Sequence, residues 1–271
     1  MIRNLQLTSE RIALEAFIVS DLAALVKKAF PQILDNFKDL ISFTSPVEAA
    51  IALTPEARSF MNNVARKHSY VDIAPMSAWV PEGFNSTYLD YVPSLQAQVD
   101  HADGIVNETL GPFVGFLAKV LTNYDDQIAT QAISYTGLNK VREALEEDNA
   151  KHYRKGSTKA QVSVGDVIKR NSDWETVLHN ADQLSMRMNK VDRKALNKKL
   201  AEATDLMDRL IKQIKAGKMD HLTPEVVTTL SNGAFQVAKE IEFYSIVYYR
   251  VLAFTDAVSK TVKNTQSVLT A

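Results

Sequence analysis

Apolar residues cover most of the girth of one long predicted helix at the end of the chain, residues 223–262. Leu230, Ala234, Val237, Ile241, Tyr244, Tyr248, Val251, Val258 and Val262 recur at helical spacing and form one face. Phe235, Ala238, Ile246, Tyr249, Leu252 and Phe254 fill the flanks. Thr223 suits the N-cap, Pro224 the first helical position and Glu225 the first turn. A helix apolar on nearly every side needs several covering partners. The pattern therefore predicts a helical assembly organised around this element.

Two cleaner stripes precede it. Trp174, Val177, Leu178, Ala181, Leu184, Met188 and Val191 form the first. After an Asp192 cap, Leu196, Leu200, Ala203, Met207, Leu210 and Ile214 form the second, closed by Ala216 and Gly217. Short links between three such helices predict a bundle of antiparallel neighbours.

The first half is helical with more interruptions. Thr8 and Ser9, then Ser20 and Asp21, offer caps for stretches that a kink at Pro31 carries on to Leu40. Pro46 and Pro55 open two more stretches, the second over 56–68. Ser86 is the expected cap of a helix through Val99, with Pro93 inside it. Helix over 104–121 should break at Gly111 and Pro112, and a weaker helix covers 128–135. Helix over 138–153 should turn Val141, Ala144 and Leu145 inward and stop at Lys155, Gly156 and Ser157.

Two fragments break the helical pattern. Residues 70–84 set Val71, Ile73, Met76, Ala78 and Val80 among Pro75, Pro81 and Gly83. Gln161 to Val164 is the second, ended by Gly165. Strands need partners, so these two should pair. The fold class expected is mainly α: an elongated multi-helix bundle with a small two- to three-strand β element. A straight 224–262 helix spans roughly 58 Å. That exceeds the diameter of about 48 Å expected for a sphere of this chain length, so the helix either breaks near Ser231, Asn232 and Gly233 or the bundle is elongated. An elongated bundle with some fraying at Gly233 is the reading favoured.

Composition adds bounds. The 271 residues are 46% apolar and 23% charged, ordinary for a globular chain with a sizeable core. Without cysteine there are no disulfides, thiolate metal sites or cysteine nucleophiles. No signal peptide is expected from the first residues. No stretch reaches the roughly 20 uncharged apolar residues of a membrane span. Net charge is −1, but residues 1–150 hold 11 Lys/Arg against 19 Asp/Glu and residues 151–271 hold 20 against 13. This suggests an acidic half (1–150) with strands near 70–84 and a basic half (151–271). The basic half would hold a β fragment near 161–164 and helices near 174–190, 193–216 and 224–262. The two can also form one continuous domain whose charges offset each other.

Candidate chemistry is sparse. His68, His101, His152, His179 and His221 show no i, i+4 pair and no H-E-x-x-H, so no metal site is expected. Gly156, Ser157, Thr158 and Lys159 lack the order of a phosphate loop. Asp125 and Asp126, and Glu143, Glu146, Glu147 and Asp148, read as solvated helix faces rather than converging carboxylates. In the 192–217 helix, Lys198–Glu202, Asp205–Arg209 and Asp208–Lys212 should pair along one exposed face. No catalytic residue and no cofactor is assigned, and the chain is expected not to be an enzyme. Two groups remain. Lys151, Arg154, Lys155, Lys159, Lys169 and Arg170 face only Asp166 within twenty residues and are candidates for anion binding. Alternatively they are a solvated loop. Phe243, Tyr244, Tyr248, Tyr249 and Phe254 are candidates for a protein interface or for core.

Three local strings set a family likeness: Phe30-Pro31 with Asn36-Phe37-Lys38; Val80-Pro81-Glu82-Gly83; and Lys155-Gly156-Ser157 followed by Arg170-Asn171-Ser172-Asp173-Trp174-Glu175. On these the chain resembles uncharacterised helical virion structural proteins of large tailed bacteriophages. The resemblance implies a non-enzymatic particle component, located in the virion after assembly in the host cytoplasm. Its partners would be other protein subunits, copies of itself being one option, and no membrane. The alternative is a nucleic-acid or other polyanion-binding module using the basic segment 151–170.

Overall fold

Helix-forming periodicity dominates the structure, a computed structural model. It describes Pro31, Leu34, Asp35 and Lys38, then residues 51–63, 76–122, 136–155, 160–170, 172–216, 218 and 224–269. The elements are α1 (Pro55–Asn63), β1 (Ser77–Trp79), α2 (Tyr88–Ile105), a π-helical turn (Val106–Leu110), α3 (Gly111–Thr122) and α4 (Thr136–Ala150). After them come β2 (Gln161–Ser163), α5 (Val164–Val167), α6 (Asp173–Lys190), α7 (Arg193–Lys215) and α8 (Pro224–Leu269). The class is mainly α with one small sheet. The expected helices over 8–17, 22–30 and 128–135, the start of the stretch opened by Pro46, and the Thr223 cap lie outside the described residues; residues 51–54, which lead into α1, are not helical.

The two β fragments pair as their isolation requires. β1 and β2 run antiparallel with Ala78 opposite Val162. Among the described residues the sheet has two strands. Gly165 does not end the second strand as expected: Val164 already opens α5, because Ser163 and Asp166 close a capping box.

The chain divides into two compact units. Unit 1 takes Met1–Glu48, Gly104–Asn139 and Asp192–Ser245; unit 2 takes Ala49–Asp103, Lys140–Val191 and Ile246–Ala271. Each draws on both the acidic and the basic half. Unit 1 holds 15 Lys/Arg against 17 Asp/Glu and unit 2 holds 16 against 15. The strong charge division along the sequence thus has no counterpart in the compact units.

Within unit 1, α7 packs on α3 and on the π-helical turn. Asp192 caps α7, its Oδ1 accepting the Ala195 N–H at 2.9 Å. Leu196, Leu200, Ala203, Met207 and Leu210 are buried as the stripe predicts, with Ile211 rather than Ile214 as the last member. The exposed face pairs Asp205–Arg209 and Asp208–Lys212, while Glu202 takes Lys199 in place of Lys198. The break expected at Gly111 and Pro112 is a change of ladder instead of a loop. Pro112 has no N–H to give the Glu108 carbonyl. The Gly111 N–H reaches five residues back to Val106, and helix resumes.

In unit 2, α6 buries Trp174, Val177, Leu178, Ala181, Leu184 and Met188 and packs on α1. Three predictions need correcting here. Helix α2 starts after Thr87, whose Oγ1 accepts the Asp90 N–H at 3.1 Å, so Thr87 caps it and Ser86 does not. Helix α4 ends at Ala150, before the predicted stop. Its Val141 is 47% exposed and Ala144 is exposed too. This helix docks through polar groups: Asn149 is buried, and Glu146 takes a two-pronged ion pair from Arg250 at 3.0 and 2.8 Å.

Helix α8 is unbroken over 46 residues and contributes to both units. It neither breaks nor frays at Gly233. A helical glycine costs only about 1 kcal/mol, and Leu230, Ser231, Gly233 and Ala234 are all buried. Every residue of the predicted main face is buried. The flanks divide: Phe254 is inside, whereas Tyr249 and Leu252 are exposed. No helix among the described residues is long and apolar enough to cross a membrane.

Candidate anion-binding site

Beside the small sheet, unit 2 lays residues 83–85 along residues 152–154. Gly83 makes this possible with φ of 78°, a backbone state L side chains avoid. Its carbonyl accepts the Arg154 N–H at 2.7 Å, and the His152 carbonyl accepts the Asn85 N–H at 2.9 Å. Phe84 and Tyr153 form an antiparallel bridge between them. Below it, the Phe84 ring meets Tyr91 and Tyr153 edge-on, with centroids 5.4 and 5.7 Å away. The backbone here is therefore anchored in an aromatic core.

Above this core lies an open cleft of about 860 Å³. Asn85, Ser86, Thr87 and Asp90 line it from the start of α2, Arg154 and Lys155 from the end of the bridge, and Asp166 and Lys169 from around α5. Arg154 and Lys155 are exposed, and neither side chain has an ion pair or hydrogen bond among the described residues. The Lys169 ammonium donates to the Gly165 carbonyl at 3.3 Å. Asp166 Oδ2 accepts the Ser163 N–H at 3.2 Å. The Ser86 hydroxyl lies 2.9 Å from His152 Nδ1, and the His152 ring packs on Tyr91.

The structure thus brings together three of the six basic candidates: Arg154, Lys155 and Lys169. Lys151 is committed elsewhere, 3.2 Å from Asp148, whose carboxyl is held below its usual range by the Ser94 hydroxyl and then by Lys151. Arg170 is exposed and does not line the cleft. Lys159 lies outside the described residues, as do Gly156, Ser157 and Thr158. Sequence reasoning missed Asn85, Thr87 and Asp90, and treated Ser86 only as a helix cap. Their one available signal was the pairing of the two β fragments, which brings residues 84–90 toward 152–155 and 162–169.

The aromatic candidates separate the other way. Phe243, Tyr244, Tyr248 and Phe254 are buried within the chain, so they are not a free interface. Phe254 lies edge-on to Tyr88 and Tyr91 at 5.6 and 5.8 Å. Tyr249 alone of the five is exposed, at 54%. No group of three or more His, Asp or Glu among the described residues could hold a metal ion. No protein-family model, no curated protein and no solved structure matches the chain.

Proposed function

We propose that the chain is a non-enzymatic binding protein whose cleft takes a phosphate-bearing anion. The observation behind this reading is the exposure of Arg154 and Lys155, without an ion pair among the described residues, on the wall of a cleft that Lys169 also lines. A guanidinium offers a planar fork of donors that fits phosphate, and an ammonium adds a mobile point charge. Charge-assisted hydrogen bonds of this kind contribute about 1.5–3 kcal/mol each. The hydroxyls of Ser86 and Thr87 lie on the same wall. Titration with inorganic phosphate, followed by calorimetry or phosphorus NMR, tests the reading. Arg154→Glu or Lys155→Glu should weaken binding at least about tenfold. Arg170→Glu should leave it unchanged, since Arg170 stands off the cleft. Equal effects of all three substitutions would mean diffuse attraction to net charge and would defeat the proposal.

A second reading keeps the chain as an assembly component of a phage-like particle. It is supported by Tyr249 and Leu252, which sit three residues apart on α8 and are 54% and 37% exposed. Native mass spectrometry of the chain from its source should then show it bound to other subunits or to copies of itself. A monomer at every concentration, with Tyr249→Ser indistinguishable from wild type, would dismiss this reading.

A further inference from the structure

Building on the anion-binding reading, we infer that the ligand is a small molecule carrying one phosphate group and several hydroxyls, of the sugar phosphate class, and not a nucleic-acid strand. Three observations lead there. The first is mixed charge. Asp90 and Asp166 line the same cleft as Arg154, Lys155 and Lys169. A strand brings a negative charge at every step, so it would set phosphates against both carboxylates. A single phosphate can sit on the cations and leave the carboxylates to other groups. Ionised carboxylates only accept hydrogen bonds, which suits the hydroxyls of a sugar. The Asp90 carboxylate is exposed and has no hydrogen bond among the described residues. Asp166 commits Oδ2 to the Ser163 N–H, leaving acceptor capacity on Oδ1.

The second observation is the lack of a stacking platform among the described lining residues. Single-stranded nucleic acids and nucleobases are held largely by stacking on exposed aromatic rings. Phe84 is the aromatic residue lining the cleft, and it is 6% exposed with its ring engaged by Tyr88, Tyr91 and Tyr153. No base could lie on it. The third is size. A cleft of about 860 Å³ is in the range of small-molecule sites and far exceeds one phosphate ion. Besides the three cations the lining is Asn85, Ser86, Thr87 and the two carboxylates with Phe84, Val162 and Val167, a mostly polar surface that matches a polyol better than an acyl chain.

The experiment compares five probes on the full chain by calorimetry or ligand-observed NMR: inorganic phosphate, ribose 5-phosphate, glucose 6-phosphate, unphosphorylated glucose and a single-stranded 12-mer oligonucleotide. At least one sugar phosphate should bind tenfold or more tighter than inorganic phosphate, with glucose alone far weaker than either. Asp90→Asn should remove most of that advantage while leaving inorganic phosphate bound at least as well. An oligonucleotide that competes at equal or higher affinity, and tightens with Asp90→Asn, would overturn the inference. So would sugar phosphates no tighter than the inorganic ion. These failures differ from failure of the underlying reading, in which phosphate itself would not bind or would ignore Arg154→Glu. The wild-type comparison needs no variant, so a poorly folding Asp90→Asn chain would not rescue the idea.

Discussion

Replacing Phe254 by alanine is expected to cost unit 2 about 3–5 kcal/mol, the range for emptying a fully buried aromatic site. The ring is 0% exposed and stands edge-on to both Tyr88 and Tyr91. Edge-to-face pairs add about 0.5–1.5 kcal/mol each beyond the buried area. The cavity would open beneath the Phe84–Tyr153 bridge, since the Phe84 ring lies on the same two tyrosines. Two readouts should therefore move together. Urea unfolding would lose a third or more of a typical domain's stability of about 10 kcal/mol, and affinity for phosphate would fall at temperatures where the variant remains folded. Tyr249→Ala on the same helix should stay within about 0.5 kcal/mol of wild type, because its side chain is exposed. A Phe254→Ala loss below about 1 kcal/mol would contradict the buried position of this ring.

The contrast between those two aromatic residues shows what the sequence disclosed. Periodicity identified α6, α7 and α8 and their buried stripes, because a long apolar face leaves one way to bury it. The Asp192 cap was equally legible, as its chemistry acts over three residues. That the fragments over 70–84 and 161–164 pair followed from the absence of any other partner; that residues 77–79 and 161–163 are the ones that do so did not. Periodicity said nothing about which flank of α8 a neighbour would cover. Tyr249 and Phe254 have the same local claim to burial, and only tertiary packing separates them. Helix α4 failed for a related reason: Val141, Ala144 and Leu145 make too short a stripe to anchor a helix that Arg250 and Asn149 dock through polar contacts. The candidate site was half visible. A run of cations shows in sequence, but Ser86, Thr87 and Asp90 reach it through a glycine turn and a backbone bridge about seventy residues away in the chain. No local pattern records that approach.

The same tyrosines give the second large effect, an alkaline unfolding that begins near pH 10. Burial raises the ionisation of Tyr88 well above the ordinary phenol range. Burial, followed by the neighbouring Tyr153, does so for Tyr91, and burial acts in the same direction on Tyr153. These phenols are also engaged as neutral groups. Tyr88 donates to the Trp79 carbonyl, Tyr153 donates to the Tyr91 oxygen at 3.2 Å, and Tyr91 donates to Asn149 Oδ1 at 3.1 Å. Below pH 10 both folded and unfolded chains keep their phenolic protons, and the full stability is present. Above it the unfolded chain releases them while the folded chain does not, so unfolding becomes steadily easier until the folded values are reached. Each such tyrosine removes about 1.4 kcal/mol per pH unit in that window, and two together remove nearly 3. A domain with about 5–8 kcal/mol of stability, the lower half of the usual range, would then unfold within about two to three pH units above pH 10. Absorbance at 295 nm should report a steep, cooperative ionisation that coincides with loss of helical circular dichroism and of phosphate binding. Tyr91→Phe should cost about 1 kcal/mol at pH 7, through the lost bond to Asn149, and should flatten the alkaline slope by about one tyrosine's share. Smooth titration of all nine tyrosines near pH 10 with the helices intact would place Tyr88 and Tyr91 in water, and the aromatic floor of the cleft would go with them.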